Sequence, residues 1–207
     1  MRRMRIRLAM MGVVISAALC VGQRPGTNPA RRGVFLPQPL SDSWNRWLVG
    51  EWEGSGQSDT GSGVGLTRIE LGLNGQFRIH HEEGIIKEMT PQQQAYLKRN
   101  MNATDEQIQR FRAEPYRAIE LYTIDPQSGD VIGYLFDSLR CVATGRGTQT
   151  GDRETMQWEW TNGHRSTRVL QRSGEDQLEV IQRTTMPDGS VMEEKGIATR
   201  RPPTTRP

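Results

Sequence analysis

Trp47-Leu48-Val49-Gly50-Glu51-Trp52-Glu53-Gly54-Ser55-Gly56 is the stretch on which the reading of the fold turns. Large apolar side chains crowd its start, and a strand over 47–55 is expected. Gly54 and Gly56, lacking side chains, let such a strand bend sharply as a sheet closes on itself. Working outward, residues 66–71 and 77–83 each alternate apolar and polar side chains. Between them Asn74-Gly75 supplies the positive φ angles of a tight hairpin turn. The same grammar continues at 117–124, 131–137, 140–144, 156–161, 166–172, 178–184 and 191–199. Turn chemistry falls between these runs at Pro126/Gly129, Gly145/Gly147/Gly151, Asn162-Gly163, Gly174 and Pro187-Asp188-Gly189. Ten short, regularly spaced strands predict an all-β, antiparallel domain, a barrel or a sandwich rather than α/β.

One segment interrupts the strands. Thr90-Pro91-Gln92-Gln93 opens like a capping box with Pro at the first helical position, and Thr104-Asp105-Glu106-Gln107 repeats the signal. Two short helices are expected at 91–100 and 105–113, either capping a barrel mouth or packing on its outside.

The opening stretch resembles that of lipocalin-like (calycin) barrels, which begin with G-x-W, here Gly50-Glu51-Trp52. In its longer form, G-x-W-x-G-x-G, it is similar to nitrobindin-type barrels and to a family of bacterial lipocalin-like domains. Chains of that family end in a strand like Met192-Glu193-Glu194-Lys195-Gly196-Ile197-Ala198-Thr199-Arg200. The resemblance implies an antiparallel lipocalin-like β-barrel in which Trp52 plugs the closed end and Arg200 lies over its ring. Guanidinium on indole contributes about 0.5–2 kcal/mol. Gly50, Trp52 and Arg200 are therefore expected to close the barrel, a structural role. Nitrobindin-like barrels hold heme through a His late in the chain. His164, the sole late His, follows Asn162-Gly163 at a turn, so no heme and no other cofactor is expected.

The chain begins Met1-Arg2-Arg3-Met4-Arg5-Ile6-Arg7 and continues with an uncharged, mostly apolar run to Cys20. That run of thirteen residues rises only about 20 Å as a helix, short of a bilayer core of about 30 Å. A basic start, a short apolar run and small residues at Ser16-Ala17-Ala18 predict a secretory signal over 1–20 and an exported protein, periplasmic or extracellular. Residues 21–40, rich in Gly and Pro, read as a flexible linker to a domain at 41–201, and 202–207 as a disordered tail. Cys20 is the one position for a lipid anchor, though Leu19 departs from the small residue that lipoproteins carry there. Cys141 is then the remaining cysteine, with no partner for an intrachain disulfide.

Of 27 Lys and Arg, ten lie in the signal, linker and tail, leaving 17 for 41–199 against all 24 acidic residues, a net of −7. Nucleic-acid binding needs clustered positive charge, so that class is excluded. Asp59-Thr60-Gly61-Ser62 spells the aspartic-protease triplet but lacks the apolar strand before it. In His80-His81-Glu82-Glu83, His80 and Glu82 face one way and His81 and Glu83 the other, so neither face collects the ligands of a metal site. No motif of acyl transfer or metalloprotease chemistry is present, and no catalytic residue is assigned.

Trp158 and Trp160 lie two apart with Met156; Tyr134 pairs with Phe136 in the same way, and Tyr122 with Ile124. These stripes form either an ordinary core or, in a ten-stranded barrel too wide to fill easily, the lining of a cavity. The ligand-binding candidates are Phe77, Ile79, His81, Tyr122, Tyr134, Trp158 and Trp160. Three functions compete: a barrel binding an apolar or amphipathic small molecule, a non-catalytic envelope interaction domain with a filled barrel, and an enzyme, for which no constellation of residues is found.

Overall fold

The structure, a computed structural model, describes residues 37–202 apart from 60 and 101. The expected signal at 1–20, Cys20, the linker up to residue 36 and the tail beyond 202 lie outside the described residues. Residues at the end of the expected linker lie on the domain: Leu40 N–H donates to Gly75 O at 2.8 Å, and Gln76 Nε2 to Pro37 O at 3.0 Å.

Three helices and ten strands follow: α1 (Ser43–Leu48), β1 (Gly50–Ser58), β2 (Gly61–Gly72), β3 (Phe77–Met89), α2 (Pro91–Asn100), α3 (Asp105–Ala113), β4 (Tyr116–Ile124), β5 (Val131–Asp137), β6 (Val142–Thr150), β7 (Arg153–Trp160), β8 (Arg165–Arg172), β9 (Gln177–Thr185) and β10 (Val191–Arg200). Each strand pairs antiparallel with its neighbours in sequence, and β1 pairs with β10 to close the barrel. The expected all-β lipocalin-like barrel with a two-helix insertion is the fold observed.

The seam runs from Trp52↔Arg200 to Ser58↔Glu194. Arg200 holds its near end. Its guanidinium lies 4.3 Å from the Trp52 ring centre, Nη1 donates to Val49 O at 2.6 Å, Nη2 donates to Trp47 O, and Nε reaches Asp176 at 2.9 Å. Gly50 has φ +143°, and a Cβ there would stand 2.7 Å from Arg200 Nη1. Trp52, fully buried, donates from Nε1 to Leu48 O at 2.8 Å.

Three local expectations are corrected. Residues 43–48 are helix, so the first strand starts at Gly50 rather than at residue 47. Asp42 caps that helix by accepting from Asn45 N at 2.9 Å, and Trp44 and Leu48, four apart, turn one face onto Trp52. A short apolar run does not by itself distinguish strand from helix. Secondly, the stretch left between the expected strands at 47–55 and 66–71 is largely strand, since β1 runs to Ser58 and β2 starts at Gly61. Thirdly, Gly145 and Gly147 lie inside β6, and the turn is at Gly151 with φ +56°. Gly145 makes room for a ring: a Cβ would meet Trp158 Cε3 at 2.7 Å, and one on Gly133 would meet Trp158 Cη2 at 2.6 Å. Trp158 thus rests on a shelf of glycine backbone.

Two apolar clusters fill the lower barrel. At the closed end are Trp44, Leu48, Trp52, Ile69, Leu170 and Leu178. Across β4–β7 are Tyr122, Val131, Leu135, Ala143, Met156 and Trp158.

Candidate functional site

The barrel register fixes which side chains point inward. On β3, Ile69↔His80 and His80↔Glu120 link buried partners, so Arg78, His80 and Glu82 form the inner set. Phe77, Ile79 and His81, expected inside, are on the opposite face, where His81 Nε2 lies 3.0 Å from Glu70 and Ile79 packs over Gly72. The expectation assumed that the apolar face of β3 turns inward. Here the inner face is the charged one, because other strands supply its partners. Tyr134 is also outside, 43 % exposed, with Gly133 and Leu135 pointing in. Tyr122 and Trp158 are inside, but fully buried in packed core, edge to face at 5.8 Å. Trp160 alone of the seven lines a cavity.

Buried ions cross the barrel in two groups that sequence reasoning missed. In the lower group Arg78 Nη2 donates to both oxygens of Glu154 at 2.7 and 2.9 Å, and Nη1 to Asn45 Oδ1 at 2.8 Å. Trp44 Nε1 donates to Glu154 Oε2 at 3.1 Å, so α1 is tied to the same carboxylate. In the upper group Arg168 Nη1 donates to Glu120 at 2.7 and 2.9 Å, and Nε to Gln182 Oε1 at 2.9 Å. Tyr122 donates its hydroxyl to Glu120 Oε2 at 2.5 Å. Charges taken this far from water contribute little net stability even when paired. The signal was present as residue spacing: Arg78-x-His80-x-Glu82 and Glu120-x-Tyr122 each put ionisable groups on one face of a strand.

His80 and Glu82 join the upper group. His80 Nδ1 lies 3.6 Å from Glu120 Oε2, beyond hydrogen-bond length, and Nε2 is buried with no partner. Burial, then the nearby Arg78 and Arg168, holds its pKa well below the ordinary value, so the imidazole is neutral. Burial and the Glu120 carboxylate push Glu82 up to about 7, with Arg168 opposing the shift and Glu194 adding to it. The donor atoms of His80, Glu82 and Glu120 all lie within 4.8 Å of one another. Counting along β3 found only two groups on that face; the β3–β4 register adds the third.

Above these groups the barrel opens into a cavity of about 970 Å³ under α2 and α3. The helices therefore shade the mouth, one of the two placements expected for them. Leu97, Ile108, Phe111, Trp160, Met186 and Met192 give apolar wall; Tyr116, Gln182 and Thr184 give polar floor. Burial and the adjacent Asp137 raise the Tyr116 phenol, which stays a hydrogen-bond donor. Trp160 is oriented by a bond from Nε1 to Ser166 Oγ at 3.2 Å. Across the rim, Tyr96 Oη on α2 lies 3.2 Å from Nε2 of His164, the residue weighed for heme.

A closed ten-stranded antiparallel barrel with helices over its open end is a lipocalin-like all-β barrel in fold. The chain is similar in fold to the S-type phycobiliprotein lyase CPES from Guillardia theta, with a TM-score of 0.50 and 10 % identity over 76 % of this chain and 90 % of that one. Two other barrels align less closely. EF1p2_mFAP2b bound to DFHBI has a TM-score of 0.39 at 11 % identity, covering 76 % of this chain and 97 % of that one. The redesigned barrel mFAP0 bound to DFHBI has a TM-score of 0.39 at 11 % identity, covering 74 % and 99 %. No family model and no curated protein matches the sequence.

Proposed function

We propose that this protein is a barrel that binds an amphipathic small molecule in the cavity at its open end. One observation carries the reading: a cavity of about 970 Å³ with an apolar wall under the helices and a polar floor of Tyr116, Gln182 and Thr184. Ligand sites of this kind are concave, mostly apolar, and fixed in specificity by a few convergent polar groups. The apolar part of the ligand lies against Trp160, Phe111 and Met192, and its polar end meets Gln182, which Arg168 holds from below.

Titration of the intrinsic tryptophan fluorescence with a long-chain fatty acid and with hemin tests this. Saturable one-to-one quenching is expected, weakened about tenfold or more in Trp160→Ala. Absence of quenching by both probes, or an unchanged affinity in the variant, refutes it. The basic start and short apolar run of residues 1–20 support export. N-terminal sequencing of the mature protein is then expected to begin between Leu19 and Gln23, and an intact Met1 refutes export.

A second reading, a protein-interaction domain, is favoured by the outer face of β4 and β5. Ile119 lies opposite Phe136 there with Tyr134 nearby, and the three are 46 %, 47 % and 43 % exposed. Contiguous apolar surface of this kind marks contact sites.

A further inference from the structure

We propose that His80, Glu82 and Glu120 form a binding site for one divalent transition-metal ion inside the barrel. The three residues converge from two paired strands: His80 is opposite Glu120 in the β3–β4 register, and Glu82 is two residues along the same inner face. Their donor atoms lie within 4.8 Å of one another. Ligands of one ion, each about 2.1 Å from it, stand roughly 3.4 Å apart in a tetrahedron. Ion binding therefore requires the donor atoms to draw together by up to roughly 1.4 Å.

His80 supplies the independent observation. Its side chain is 4 % accessible, yet Nε2 has no hydrogen-bond partner, and Nδ1 faces Glu120 Oε2 at 3.6 Å. A buried polar atom left without a partner is destabilising, so such an atom calls for a partner that the rest of the fold does not supply.

The surrounding charges agree. Arg78 is taken up by Glu154, and Arg168 answers Glu120. Glu82 stands 4.0 Å from Arg168, which is already engaged, and Glu194 adds negative charge nearby. A divalent cation supplies the missing positive charge. Tyr122 Oη and Arg168 Nη1 both bond Glu120, and so act as outer partners that orient a ligating carboxylate. One imidazole with two carboxylates suits zinc, manganese or ferrous iron rather than calcium. Glu82 is 27 % accessible, which gives the ion a route in.

The inference does not depend on the cavity having an organic ligand, and its test needs none. The full chain is stripped with chelator, dialysed against Zn²⁺, Mn²⁺ or Co²⁺, and assayed for bound metal. One ion per chain is expected for at least one of these metals. Glu82→Gln, a near-isosteric change, is expected to weaken binding about 100-fold, as is His80→Ala. His81→Ala removes the imidazole on the outer face and is expected to leave binding unchanged. The Co²⁺ form is expected to show visible absorption that Glu82→Gln abolishes. If His80→Ala does not fold, Glu82→Gln carries the test alone. Fewer than about 0.1 ions per chain with all three metals, or equal binding by wild type and Glu82→Gln, overturns the proposal.

Discussion

Replacing Arg78 by Met tests the most consequential feature of the interior. Arg78 and Glu154 are each 1 % accessible, and two hydrogen bonds of 2.7 and 2.9 Å join them. Methionine roughly fills the space of the aliphatic stem but leaves Glu154 with Trp44 Nε1 as its remaining hydrogen-bond donor at 3.1 Å, and leaves Asn45 Oδ1 without its donor at 2.8 Å. Breaking one side of a buried ion pair costs about 3–5 kcal/mol. For a domain of this size that corresponds to a fall in Tm of roughly 6–20 °C. Urea denaturation followed by tryptophan fluorescence measures it, with the midpoint shifting and the slope unchanged. The double variant Arg78→Met/Glu154→Met removes both charges, and is expected to recover most of the loss, to within about 1–2 kcal/mol of wild type. A single variant within about 1 kcal/mol of wild type, or a double variant no more stable than the single, refutes the reasoning.

Arg200→Ala loses the contact with the Trp52 ring and the bonds to Val49 O and Trp47 O, and is expected to cost about 2–4 kcal/mol in the same assay. Arg200→Lys is expected to recover less than half, because one ammonium cannot both stack on indole and span two carbonyls. Gly145→Ala places a Cβ 2.7 Å from Trp158 Cε3, for an expected loss of about 1–3 kcal/mol and a shifted tryptophan emission. Asp42→Ala removes the cap of α1 and is expected to cost about 1 kcal/mol by thermal denaturation.

The turns and capping boxes made much of this fold legible. The helices at Pro91–Asn100 and Asp105–Ala113 have the expected bounds, because Thr104 and Gln107 cap the second reciprocally and Pro91 opens the first. Trp52 and Arg200 meet as the resemblance implied, since the first and last strands of a closed sheet must be neighbours. The site was less legible. Phe77, Ile79 and His81 followed the rule that apolar faces turn inward, a rule that assumes each strand is solved alone. Arg78 is buried because Glu154 waits on β7, 76 residues further along the chain, and no local pattern carries that partnership. The α1 helix was hidden for a related reason: its apolar pair reads equally as strand until its packing on Trp52 is known.

Closure by β1 and β10 has a consequence for how the protein is made. Arg200 Nη1 bonds a carbonyl 151 residues earlier, so the contact that seals the barrel joins the two ends of the domain in sequence. A ribosome delivers β1 to β9 before it delivers β10, and until then β1 and β9 are open edges able to pair with strands of other chains. Most of the sheet is a meander that can zip locally as each hairpin emerges, whereas the last pairing must close a loop nearly as long as the domain. Shortening the chain by its final strand therefore does more than trim a terminus: it converts an edgeless cylinder into a sheet with two sticky margins.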